Sequence, residues 1–221
     1  MSHRPVAVFD LDGTITYKDT YVEFLIFCLR KRPQRIFRGG ALLAYLCAYK
    51  CRLRSNHWLK ARYLGAIAGG LGGSQLEKLC VEFSELTLRN NIKPGALEEI
   101  HRLREQGYIL VLATASFEFY VRLVFQALQM DELLCSKAEY DSSGHLTGEL
   151  DGSNCIGEEK ASRVLKLLGQ LGSRKLERAY SDDKVDLPLF KLSTYALVVD
   201  PKAATERVAA ANGFQVLRWR Q

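Results

Sequence analysis

Val6-Ala-Val-Phe-Asp-Leu-Asp-Gly-Thr14 is the stretch from which the rest of the chain is read. Four apolar residues end abruptly in Asp10, and a second acid follows at Asp12. A run that is apolar at every position, rather than at alternate ones, predicts a strand buried on both faces of a parallel sheet. Residues 11–16 read as a loop, with Gly13 available for a tight turn. Open α/β sheets bind ligands beyond the carboxyl ends of their strands, so the two acids stand where chemistry is expected.

Downstream the pattern changes twice. Between about residues 21 and 89 the spacing predicts helices over 21–29, 36–49, 58–67 and 76–88. They are separated by Arg32-Pro33, Ser55-Asn56 and the segment 69–74. Ser74-Gln-Leu-Glu77 has the form of a capping box opening the last of them. After Pro94-Gly95, helices at 96–106, 119–128 and 158–168 alternate with strands at 108–113, 178–180, 195–199 and 214–217. A hairpin of 137–140 and 146–150 turns at Asp141-Ser-Ser-Gly144. The expected fold class is α/β: a Rossmann-like parallel sheet sandwiched by helices, with right-handed crossovers. Residues 1–17 and 90–221 would form the core domain, and 18–89 an inserted all-helical cap.

Composition narrows the function classes. With 221 residues, 48% hydrophobic and 25% charged, the chain is an ordinary globular protein with material for a sizeable core. No apolar run approaches the roughly 20 residues that a membrane-spanning helix needs. The start is polar and the apolar run 6–9 is too short for a signal peptide, so a cytoplasmic protein is expected. Six cysteines form no C-x-x-C pair and four histidines are scattered, so a zinc site is not expected and the thiols are read as buried and reduced. The net charge is +6, and between Lys18 and Arg62 eleven basic residues face only two acids. Such a field favours an anionic substrate, a membrane surface or nucleic acid. No nucleic-acid-binding motif is visible, so nucleic acid is not expected as a partner. Aromatic residues interleaved with this run, among them Phe24, Phe37, Tyr49 and Trp58, are read as core at helical spacing.

Four sheet-edge segments carry the candidate chemistry: Asp10 to Thr14, Thr114-Ala-Ser116, Lys160 near a helix start, and Ser181-Asp-Asp-Lys-Val-Asp186. Five carboxylates gathered at one edge would repel one another and resist ionisation. A hard divalent cation resolves this, and Mg2+ prefers a few carboxylates, waters and phosphate oxygens. Lys160 would neutralise a phosphoryl group, while Thr114 and the backbone N–H groups after Asp10 would bind its oxygens. Asp10 is then a candidate nucleophile, and Asp12 a candidate general acid that later activates water.

The motif set Phe9-Asp-Leu-Asp-Gly-Thr14, Thr114, Lys160 and Tyr180-Ser-Asp-Asp-Lys-Val-Asp-Leu-Pro188 resembles, in order and spacing, the four motifs of the haloacid dehalogenase (HAD) superfamily of phosphatases. The helical insertion after the first motif resembles the C1 cap of the phosphoserine-phosphatase-like subfamily, IB. The resemblance implies that Asp10 is nucleophile and metal ligand, and that Asp12 is acid/base with its backbone carbonyl on the metal. Asp182 would be a direct Mg2+ ligand, and Asp186 would hold the outer shell or Lys160. Asp183 would belong to that outer shell or point to solvent. Gly13, Thr14, Thr114, Ala115 and Lys160 would bind phosphate. The sequence departs from the family at Ser181, where Gly is common, at Asp183, where a small hydroxyl residue is frequent, and at Gly13, where phosphoserine phosphatases carry Ser.

The expectation is a Mg2+-dependent phosphomonoester hydrolase working through a phosphoaspartyl intermediate. The basic cap points towards an anionic or lipid-linked phosphate, of which phosphatidylglycerophosphate is an example, and towards peripheral contact with an anionic membrane. Alternatives are a phosphatase of a small soluble metabolite, phosphoserine-like or histidinol-phosphate-like, a phosphotransferase, and a membrane-surface binding module with a vestigial site. Dehalogenase chemistry is disfavoured, because Asp12 would then have no role.

Overall fold

The computed structural model describes residues 4–173 and 175–219. Its strands are β1 (Val6–Phe9), β2 (Ile109–Phe117), β3 (Glu132–Tyr140), β4 (Leu146–Asp151), β5 (Leu176–Ser181), β6 (Ser193–Val199) and β7 (Gln215–Leu217). They form one sheet in the order β4-β3-β2-β1-β5-β6-β7, parallel except for the β3–β4 hairpin. β1 lies at the centre, paired with β2 and β5, and all four of its side chains are fully buried. Alternation sends Ala7 and Phe9 into one apolar cluster and Val6 and Val8 into another on the opposite face. Phe9 stacks on Tyr180 of β5 with ring centroids 4.2 Å apart. A strand buried on both sides is what the uninterrupted apolar run demands, and the α/β class holds.

Between β1 and the next strand lie α1 (Thr20–Lys31), α2 (Gly39–Lys50), α3 (Asn56–Ile67), α4 (Gly73–Asn90) and α5 (Pro94–Glu105). The remaining helices are α6 (Glu118–Ala127), α7 (Glu158–Gln170), α8 (Leu187–Leu192) and α9 (Ala203–Asn212). The inserted helices do not keep a core of their own. Phe24 of α1 and Phe83 of α4 meet Tyr120 of α6 at centroid distances of 4.9 and 5.4 Å, inside the same cluster that holds Phe9.

Several expectations are corrected. Ser74 does not cap α4: the helix starts earlier, after Gly72, with no side-chain cap bond. The single helix expected over 36–49 is a 3-10 turn at Pro33–Arg38 followed by α2. The expected short second strand continues to Phe117 with a register shift between Ala113 and Phe117. β3 begins at Glu132, so its first half is a parallel strand beside β2 before it becomes a hairpin arm. α9 has no counterpart in the sequence reading. Cys47 and Cys51 are exposed, and so is Phe37, which is 89% accessible rather than core. Among the described residues no helix is long and apolar enough to cross a membrane.

Candidate active site

β1 delivers Asp10 to the sheet edge, where its backbone N–H donates to the Tyr180 carbonyl at 2.9 Å. The chain then turns through Gly13 at φ +83°. A Cβ there would lie 2.6 Å from the Asp182 carboxyl carbon, so glycine lets the β5 loop close against the β1 loop. Lys160, in the first turn of α7, is 2% exposed. Its ammonium donates to Asp10 Oδ1 at 2.8 Å and to Asp186 Oδ2 at 2.6 Å. Asp186 Oδ2 also accepts from the Ser181 hydroxyl at 2.7 Å. Asp186 makes no side-chain cap to α8; its carboxylate is turned to the lysine instead.

Asp12 is held from the other side. Oδ1 accepts from both the backbone N–H and the hydroxyl of Thr20, each at 2.6 Å. Oδ2 accepts from the Ser116 hydroxyl at 2.6 Å and the Thr114 hydroxyl at 3.4 Å. The register shift in β2 makes this reach possible, because it frees the chain between Ala113 and Phe117 from the ladder. Thr14 donates to Asp10 Oδ2 at 3.3 Å.

Electrostatics follow from burial. Burial pushes the Asp10 carboxyl up to about 8; Lys160 opposes the shift, and Asp186, Asp12 and Asp182 add to it. Burial, with Asp183 beside it, pushes Asp182 up to about 6. Lys160 pays the desolvation of a buried ammonium but is held charged by Asp10 and Asp186.

These residues suit a hard cation. Among the described residues no three acidic, His or Cys side chains form a complete metal cage. Asp10 and Asp182, with the Asp12 backbone carbonyl, could instead supply the few oxygen ligands that Mg2+ takes alongside waters and a substrate phosphate. Two carboxylates that resist ionisation, and an Asp186 Oδ1 that is buried without a hydrogen-bond partner, mark a place where positive charge and ordered water belong.

Two of the expected residues also carry other bonds. Asp183 accepts at Oδ1 from the Val185 N–H at 2.9 Å, capping its own turn, and stands as a charge beside Asp182. Ala115 offers its carbonyl to the ammonium of Lys60. Lys60 of α3 also donates to Asn154 Oδ1 at 3.0 Å and lies 4.3 Å from the Phe117 ring centroid; burial lowers its pKa to about 8. The sequence reading missed Thr20, Lys60, Asn154 and Lys93, and named Ser116 only as an edge hydroxyl. The fully buried Lys93 donates to the Gly13 carbonyl and to Asp200 Oδ2 at 2.8 Å, tying the catalytic turn to the end of β6. Asp200 obeys the same rule that singled out Asp10 and Asp182, an acid just past a buried strand, and that signal was readable.

Known proteins resemble this chain over most of its length. The profile of the family described as haloacid dehalogenase-like hydrolase matches residues 7–191. Protein CicA of Caulobacter vibrioides is 30% identical over 194 residues, covering 87% of this chain and 85% of that protein. A phosphoserine phosphatase of a Polaromonas species is 24% identical, covering 96% and 86%. A Bordetella pertussis protein of unknown function has a crystal structure that superposes with a TM-score of 0.84 at 24% identity, covering 98% of this chain and 99% of that one. The chain belongs to the haloacid dehalogenase-like hydrolases.

Proposed function

We propose that the protein is a Mg2+-dependent phosphomonoester hydrolase acting through a phosphoaspartyl intermediate on Asp10. One observation carries this reading: acids and a lysine from separate loop tips converge on one buried carboxylate, with Lys160 bridging Asp10 and Asp186 while Asp182 packs on the Gly13 turn.

An Asp10 oxygen attacks phosphorus, and the bond from phosphorus to the alcohol oxygen breaks. Asp12, held by Thr20 and Ser116, gives its proton to the departing alkoxide. Asp12 then takes a proton from water, which attacks the acyl phosphate and returns Asp10 and orthophosphate. Lys160 holds Asp10 in place and offsets phosphoryl charge. Asp10, Asp182 and the Asp12 backbone carbonyl would hold Mg2+, which would supply charge neutralisation for the phosphoryl group. The test is orthophosphate release from p-nitrophenyl phosphate. It is expected to need Mg2+ and to vanish in Asp10→Asn; full metal-dependent turnover by that variant rejects the mechanism.

An anionic or lipid-linked monoester suits the basic insertion, and a separate observation favours contact with an anionic membrane. α2 is apolar on every side up to Lys50, yet Ala41, Leu43, Ala44, Cys47 and Tyr49 are exposed. A helix of that kind is ordinarily buried. Phe37 and Leu53 flank it at 89% and 73% accessibility, among exposed Lys31, Lys50, Arg52 and Arg54. Vesicles containing anionic lipid are expected to sediment the protein at low salt, and Phe37→Ser with Leu53→Ser to reduce this. Absence of binding at low salt removes the membrane from the reading.

A further inference from the structure

Above Asp12 a cavity of about 450 Å3 opens between α1, α2 and α3. Asp12, Asp19, Lys60, Ser116 and Asn154 cluster at one end of it, and Asn56 and Tyr63 are further polar side chains on its walls. Asp12 is bound by Thr20 and Ser116, Asp19 accepts from the Val22 N–H at 2.9 Å, and Lys60 is taken by Ala115 and Asn154. Beyond them the walls are Leu25, Ile26, Leu29, Leu42, Leu46 and Leu59. Charged groups carried past that end would meet apolar side chains in place of their water. An apolar one would lose only water that such walls hold weakly. The apolar surface also continues outwards: Ile26 lines the cavity and is still 36% exposed, on the same face of the molecule as Val22.

We infer that this cavity is a binding subsite for an aliphatic chain carried by the alcohol portion of the substrate. The polar end contains Asp12, which protonates that alcohol's oxygen, so a chain attached there is directed between Leu25 and Leu46. This rests on the phosphatase reading and adds to it the class of ester preferred: long-chain alkyl or acyl-bearing monophosphates over amino-acid phosphates.

The test is kcat/KM with Mg2+ for ethyl, butyl, hexyl and octyl phosphate, beside phosphoserine and p-nitrophenyl phosphate. Each added methylene is expected to raise kcat/KM roughly fourfold until the cavity is filled, the factor that corresponds to about 0.8 kcal/mol per buried methylene. Phosphoserine is expected to fall well below octyl phosphate. In Leu46→Asp the octyl-to-ethyl ratio is expected to drop at least roughly tenfold, since a carboxylate then lines the apolar end. A further arm presents dioleoyl phosphatidic acid in phosphatidylcholine vesicles. Chain dependence among the free esters assigns the cavity to a soluble chain, and activity confined to the vesicle-borne ester assigns it to a membrane lipid; both support the inference. Equal kcat/KM across the alkyl series, with phosphoserine at least as good, overturns the subsite and leaves the phosphatase intact. No turnover of any ester, p-nitrophenyl phosphate included, overturns both.

Discussion

Asp12 receives hydrogen bonds from two distant parts of the chain, Thr20 at the start of α1 and Ser116 in the irregular end of β2. A hydrogen bond to a charged group contributes about 1.5–3 kcal/mol. Ser116→Ala should therefore lower kcat by about 10- to 100-fold with little change in KM, measurable by steady-state kinetics on p-nitrophenyl phosphate. Lys93 makes a different prediction. Its ion pair with Asp200 is buried, with side-chain accessibilities of 0% and 5%. Removing one partner of such a pair costs about 3–5 kcal/mol. Lys93→Met should lose that much in urea unfolding and loosen the Gly13 turn, lowering activity with it. Asp10, Asp12, Lys160, Asp182 and Asp186 were legible because each sits at a motif position on a strand or helix end. Thr20, Lys60 and Lys93 were not, because a lone Thr or Lys outside a motif has no local pattern; only the fold brings them to Asp12, Ala115 and Gly13.

Elements were legible where burial imposed a period. β1 is apolar throughout because it is covered on both faces, and the hairpin turn at Asp141 is fixed by its Oδ1 accepting from Ser143 and His145, each at 2.9 Å. α9 escaped because Ala203-Ala-Thr-Glu-Arg-Val-Ala-Ala-Ala-Asn212 has little apolar contrast between its faces. The first half of β3 escaped because Glu132 and Ser136 interrupt its apolar run. One junction between elements was also silent in the sequence. Gly148 of β4, at φ +98°, would place a Cβ 2.6 Å from the nitrogen of Gly65 in α3. The hairpin thus seats the inserted helix that carries Lys60. Gly148→Ala combines backbone strain with overpacking, each costing about 1–3 kcal/mol. It should lower the Tm by several degrees and reduce phosphate release, checked by calorimetry and a turnover assay.

Across the whole molecule, the crowded sheet edge couples stability to pH and metal. Asp10 and Asp182 are pushed up to about 8 and about 6, so the folded chain keeps protons that the unfolded chain releases near pH 4. Without metal, these groups stabilise fully only below the ordinary carboxylate range, and their contribution is lost as pH rises through about 6 and then about 8. Mg2+ competes with those protons, so its binding strengthens over the same interval. The Tm should rise on adding Mg2+, by more near pH 8 than near pH 6, and fall back with EDTA. Equal shifts at both pH values would contradict this electrostatic account.

The most direct measurement is acid quenching of the enzyme during turnover of p-nitrophenyl phosphate with Mg2+, followed by peptide mass spectrometry. A phosphoryl group is expected on Asp10, absent without Mg2+ and absent in Asp10→Asn. Rapid metal-dependent hydrolysis with Asp10 unmodified at every quench time, and retained in Asp10→Asn, would contradict it.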